Sequence, residues 1–140
     1  MTARYLSSKS LPDPKGLGHS QIAAAGPYER VAALAGQSGH DHAGVLSEHF
    51  EDQLRQALDN VAAVLSYAGG SLEDVVRLHL LVADYRPERL EEIGLVLRTR
   101  WQPLMPAVTV VPVPRLALDG MLVEVEATAT LDSERRVRLP

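Results

Sequence analysis

"VVRLHLLVA", residues 75–83, is the stretch that decides the fold of this chain. It is too short and too β-branched to hold a helix by itself, so it reads as a buried strand over about 75 to 83. Its two sets of alternate residues differ. Val76, Leu78, Leu80 and Val82 are wholly apolar, whereas Val75, Arg77, His79 and Leu81 are mixed. Successive strand side chains point to opposite faces, so one face is expected to meet a core and the other to form an interface.

On the N-terminal side, "SLED" (71–74) reads as a capped single turn feeding the strand. Before it, "EHFEDQLRQALDNVAAVLSYA" (48–68) sets Phe50, Leu54, Leu58, Val61, Leu65 and Ala68 at three and four spacings, which predicts an amphipathic helix. Ser47 is the expected N-cap, Glu48, Glu51 and Asp52 suit the first turn, and Gly69 with Gly70 supplies the stop. On the C-terminal side, "YRPERLEEIGLVLRTRWQP" (85–103) predicts a second helix, with Pro87 near its first position and Leu90, Ile93, Leu97 and Trp101 on one stripe until Pro103.

"AVTVVPV" (107–113) and "MLVEVEATATL" (121–131) read as strands joined by "PRLALDG". "HSQIAAAGPYERVAALAGQ" (19–37) reads as two strands around a turn at Gly26-Pro27, with Gly36 closing the second. The expected order is ββαβαββ, without repeats or linkers. This implies a two-layer α+β domain, one sheet with two long helices packed on one face. Its other face is left open, which points to self-association. One domain is expected over 1–140, with a core of about 18–131 and tails at 1–10 and 132–140.

Composition narrows the chemistry. Apolar residues make up 46% of the 140 and charged residues 23%, a globular balance. The absence of cysteine removes disulfides, thiolate metal sites and a cysteine nucleophile, and suits a cytoplasmic protein. "MTARYLSSKS" lacks the apolar core of a secretory signal, and no run reaches the roughly 18 apolar residues of a membrane span. A net charge of −4 with 4% aromatics is a poor match to a nucleic-acid surface, so nucleic acid is not expected as a partner. The basic "RRVR" near the C-terminus reads as a solvated tail.

Several segments together resemble the YjgF/RidA family, the reactive-intermediate deaminases also labelled translation inhibitors or L-PSP endoribonucleases. "GHSQIA" resembles the family's GPYSQA opening and "LAGQ" (34–37) its VSGQ strand end. "QLRQALDNVAAVLSYAGGSLEDVVRLHLLVADY" resembles its long helix, link and following strand, and "MPAVTVVPVPRLALDGMLVEVEATA" its C-terminal signature. The resemblance spans about residues 18–130. It implies a chorismate-mutase-like fold and a homotrimer with a small-molecule cleft between neighbouring subunits. It further implies hydrolytic deamination of imines, enamines or related C=N compounds, with water as co-reactant and no cofactor. A non-catalytic ligand-binding or regulatory trimer is the alternative, and a translation inhibitor or endoribonuclease finds no basic groove here.

Carried over by position, the water-orienting glutamate falls on Glu124, the amide-donating glycine on Gly36, and a cleft tyrosine on His19. The arginine that holds a substrate carboxylate falls on Val108, and Val110 follows it along the same strand. Valine cannot bind a carboxylate, so the standard amino-acid-derived imine is a poor fit. Glu124 and Glu126 project to one side of their strand. Glu124 is expected in the cleft and Glu126 against a neighbouring chain, with a solvated strand edge or pairing to Arg77, Arg98 or Arg115 as the plainer reading. His19 is expected either to act beside Glu124 or to fill a subunit boundary, and Arg77 or Arg115 to be candidates for the missing guanidinium.

Other constellations carry less. His40, Asp41 and His42 with His49 have metal-ligand chemistry but lie in a loop without a second convergent set, so no metal is expected. Ser20, His79 and Asp41 form a triad on paper only, since no motif places them together. Phe50 and Trp101 sit on helix stripes and read as core.

Overall fold

The computed structural model describes residues 4–6, 22–24 and 29–132. Its elements are β1 (Arg4–Leu6), β2 (Ile22–Ala24), β3 (Glu29–Ser38), α1 (Phe50–Tyr67), a 3₁₀ turn (Leu72–Asp74), β4 (Val75–Val82), α2 (Glu88–Trp101), β5 (Ala107–Pro112) and β6 (Val123–Asp132). β3, β6, β4 and β5 form one mixed sheet in that spatial order, antiparallel except for the parallel β4–β5 pair that α2 connects. The α+β layering expected from the sequence is therefore present. One pairing differs. β2 is antiparallel to β1, a segment read from sequence as a tail, rather than to β3.

The core lies between the helices and one face of the sheet. Leu54, Leu58, Val61 and Leu65 of α1 are fully buried against Leu78 and Leu80 of β4 and Val123 and Val125 of β6. Each such side chain contributes about 1.5–3 kcal/mol on leaving water, which makes this stripe the main stabilising element. Beyond Leu78 the strand alternation breaks. Val75 pairs with Ala129 and Arg77 with Thr128, so Val76 is the extra residue of a bulge. Val75 thereby takes the core-facing position that strict alternation assigns to Val76.

Helix ends follow local chemistry. Gly69 has φ +80°, the Gly69 N–H donates to the Ser66 carbonyl at 3.2 Å and the Gly70 N–H to the Leu65 carbonyl at 2.9 Å, so α1 closes in a Schellman turn. At its other end the N-cap is His49 rather than Ser47, whose hydroxyl instead accepts from the His49 N–H at 3.1 Å and donates to Asp52 at 3.1 Å. The helix thus starts two residues past the sequence expectation. Ser71 and Asp74 form the capping box read from "SLED". In α2, Ile93, Val96, Leu97 and Trp101 are buried, but Leu90 is 48% exposed and contributes little to the core. The Trp101 indole N–H fastens the end of α2 to the Leu72 carbonyl at 2.7 Å.

Gln53 is a polar residue in the core, with 0% exposure. Its amide nitrogen donates to the carbonyls of Ser47 at 2.7 Å and Gly120 at 2.9 Å, and its oxygen accepts from the Leu122 N–H at 2.8 Å. One side chain therefore ties α1 to the loop before it and to the start of β6. Gln53→Leu keeps the volume but strands three backbone groups, and a loss of about 2–3 kcal/mol is expected in urea unfolding. A loss under about 0.5 kcal/mol would mean that solvent replaces these bonds.

Candidate functional site

The sheet face turned away from α1 and α2 carries Glu124, Glu126 and Thr128 of β6, with Arg77, His79 and Leu81 of β4 paired opposite them. Alternation along β6 sends Val123, Val125, Ala127 and Ala129 to the core and the acids the other way. The open face is consequently mixed rather than apolar. Glu126 meets His79 on the neighbouring strand, with its Oε2 2.9 Å from Nδ1. That contact lies within one chain. It accounts for one of the two acids.

Glu124 is placed differently. Between Leu34, which pairs with Ala127, and Gln37, which pairs with Val125, the β3–β6 register slips, so Ala35 and Gly36 together oppose Glu126. Such a bulge takes a residue out of the ladder and re-aims what lies beside it. The Glu124 side chain crosses the strand gap and lies over Gly36: a Cβ there would collide with Oε1 and stand 2.6 Å from Cδ. Only glycine leaves that space open. Among the described residues no hydrogen bond or ion pair holds the Glu124 carboxylate, which is half-buried.

The structure brings Glu124 and Gly36 together but sets Val108 and Val110 apart from them. In the parallel β4–β5 register Val108 stands opposite Leu78 and Val110 opposite Leu80, and partners in such a ladder share a face. Both valines pack against the core cluster on the helix side. His19 lies outside the described residues. Of the arginines considered as substitutes, Arg115 is exposed and bonded to Asp119 at 3.1 Å, and Arg77 sits opposite Thr128, four residues along β4 from the partner of Glu124. Neither borders the Glu124–Gly36 contact through the strand register.

Beyond β3 the chain turns at Gly39 into the His-Asp-His loop. The Asp41 carboxylate accepts from the N–H groups of Val45 and Ala43, both at 2.9 Å, which draws its pKa below the ordinary 3.8 with the Val45 bond as the largest cause. No group of three or more His, Cys, Asp or Glu able to hold a metal is present among the described residues. No helix among them is long and apolar enough to cross a membrane. The bulge, Gln53 and the glycine-glutamate contact escaped sequence reading, although the closeness of Gly36 to a strand end was a usable signal.

Comparison with known proteins adds context to this geometry. Residues 18–131 match the family described as Endoribonuclease L-PSP. A RutC family protein of Pyrococcus horikoshii is 33% identical over 119 residues, covering 83% of this chain and 90% of that protein. The crystal structure of YyfB from Yersinia pestis, described as a protein of unknown function of the Rid family, is similar with TM-score 0.86 and 30% identity, covering 94% of this chain and all of that one. Rv2704 of Mycobacterium tuberculosis, a YjgF/YER057c/UK114 family member, is similar with TM-score 0.63 and 29% identity over 93% of this chain and 100% of its own.

Two outcomes follow from the local geometry. Gly36→Ala should fold with a Tm within about 3 °C of the parent, since what must move is one half-buried, flexible side chain from its Cγ outward, while Glu124 swings away in a crystal structure; an unmoved Glu124 would refute the steric account. For Asp41 the folded pKa is depressed, so its stabilisation holds above the ordinary carboxylate range and is lost as pH falls through the lowered value. Amide exchange at Ala43 and Val45 should accelerate there, and at neutral pH in Asp41→Ala; unchanged protection would show that the carboxylate does not hold the loop.

Proposed function

The chain belongs to the endoribonuclease L-PSP family, also described as YjgF or Rid, and from that premise we propose that it binds a small molecule bearing a C=N bond at Gly36 and Glu124 and hydrolyses it to a carbonyl compound and ammonia. The observation that carries this reading is a half-buried carboxylate lying over a glycine at a strand bulge, with no partner among the described residues. A carboxylate held in reach of a bound electrophile orients a water and takes its proton as the oxygen attacks carbon. The residue freed by the bulge offers main-chain groups to the same ligand. No redox partner is required, because imine and water together supply every atom of the products.

The reading favours a neutral, amine-derived substrate. The position where the family resemblance expects a carboxylate-binding arginine holds Val108, and that valine is partly buried against the core. A bidentate guanidinium contact is the usual means of holding such a carboxylate. Two acids on the open face and a formal charge of −4 also disfavour a polyanion such as RNA. Self-association as a homotrimer across the mixed face belongs to the same proposal. It would enclose a site that a single chain leaves open.

Imines generated in situ by amine and amino-acid oxidases, with ammonia release as the readout, test the proposal. The expected result is release above the spontaneous rate, faster for neutral imines than for imino acids, and a fall of about 100-fold or more in Glu124→Gln. Full activity in Glu124→Gln would overturn the role of this carboxylate. Saturable binding without turnover would instead identify a ligand-sensing oligomer.

A further inference from the structure

We infer that Ser38 and His40 form a second proton-handling pair in this site, with the Ser38 hydroxyl relaying a proton between His40 and the substrate nitrogen. The inference rests on the C=N hydrolysis proposed for Glu124. Ser38, the last residue of β3, is the register partner of Glu124, and directly opposed residues of an antiparallel pair share a face with Cβ atoms about 4.5–5.5 Å apart. Its Oγ lies 2.7 Å from Nδ1 of His40. The register thus sets the Ser38 hydroxyl on the face that carries Glu124, and the imidazole is bonded to that hydroxyl.

The pair is held from three sides. Asn60 of α1 donates from its single amide nitrogen to the carbonyls of Ser38 and His40, both at 2.8 Å, and accepts from Gln56 at 3.0 Å. Gly39 between them is buried so closely on α1 that a Cβ would stand 2.6 Å from the Gln53 backbone. His40 bridges back to Leu46 across the loop that Asp41 closes. Among the described residues, Asp41 and His42 of its own loop are the charged and titratable groups that act on one another beside His40, Glu124 of β6 faces Ser38 across the strand pair, and α1 presents the neutral Asn60, itself bonded to Gln56. A solvated loop does not require so much anchoring. A relay whose two atoms must stay within hydrogen-bond distance does.

Hydrolysis of an imine needs protons in two places, and one carboxylate serves only one at a time. In the first step water gives a proton to Glu124 while its oxygen bonds to carbon. The C=N π pair moves to nitrogen, which takes a proton from the Ser38 hydroxyl as that oxygen is reprotonated by imidazolium His40. In the second, Glu124 returns its proton to nitrogen, the new hydroxyl passes its proton through Ser38 to His40, and the C–N bond breaks. Carbonyl compound and ammonia leave, with Glu124, Ser38 and His40 all restored.

The test uses the full chain and ammonia release from the best imine found, with Ser38→Ala, Ser38→Thr, His40→Ala and Glu124→Gln compared. Ser38→Ala and His40→Ala should each lower kcat by about 100-fold with KM changed less than threefold, Ser38→Thr should retain most activity, and added imidazole should restore His40→Ala. A structural role would not be rescued by imidazole. Should His40→Ala lose its fold, His40→Gln gives the same kinetic comparison. Unchanged kcat, or a loss that neither threonine nor imidazole repairs, overturns the relay while Glu124→Gln remains inactive. Absence of turnover by the parent protein overturns both the relay and the hydrolytic reading.

Discussion

The side chain of Glu124 occupies the space that a Cβ on residue 36 would take, and the candidate site depends on that exclusion. Every other residue type at this position would push the carboxylate aside, because the contact falls well inside van der Waals distance. The exclusion itself rests on the bulge at Ala35 and Gly36, which slips the register so that two residues face Glu126. A regular ladder would place a different residue beside Glu124. Backbone geometry, glycine and carboxylate therefore act as one unit.

Behind this unit lies a layered division of labour. The core between helices and sheet is apolar almost throughout, and one of its few buried polar side chains, Gln53, bonds the backbone of the loop before α1 and at the entry to β6. Since β6 carries Glu124 two residues after Leu122, that buried amide helps to set where the carboxylate begins its reach. Its neighbours on the same helix extend the pattern, with Asn60 gripping the turn after β3. α1 is thus both the largest contributor to the core and the scaffold for the end of β3. Stability and site placement share the same helix, so core substitutions there should disturb both.

Much of the fold was legible in the sequence. The apolar stripe of α1 from Phe50 to Leu65, the glycine stop and the capped "SLED" turn are local signals, each with a mechanism contained in a few residues. What stayed hidden depends on tertiary partners. Leu90 has helical spacing yet points to solvent, because periodicity gives a stripe but not its width. The bulges at Val76 and at Ala35–Gly36 arise from pairing between distant strands, and Gln53 reads as surface until its three backbone partners are known. Glu124 and Gly36 were singled out through resemblance, whereas their contact, and the bond of Glu126 to His79, came only from the folded chain. Val108 shows the reverse case: its identity was informative, but its direction, into the core, was not readable from position.

The most direct measurement is a crystal structure of the protein soaked with a stable oxime, an isostere of a C=N substrate. The account predicts density against Gly36 with the oxime carbon within one water of the Glu124 carboxylate. Density confined to other surfaces, with Glu124 engaged by a basic side chain of a neighbouring copy, would contradict it.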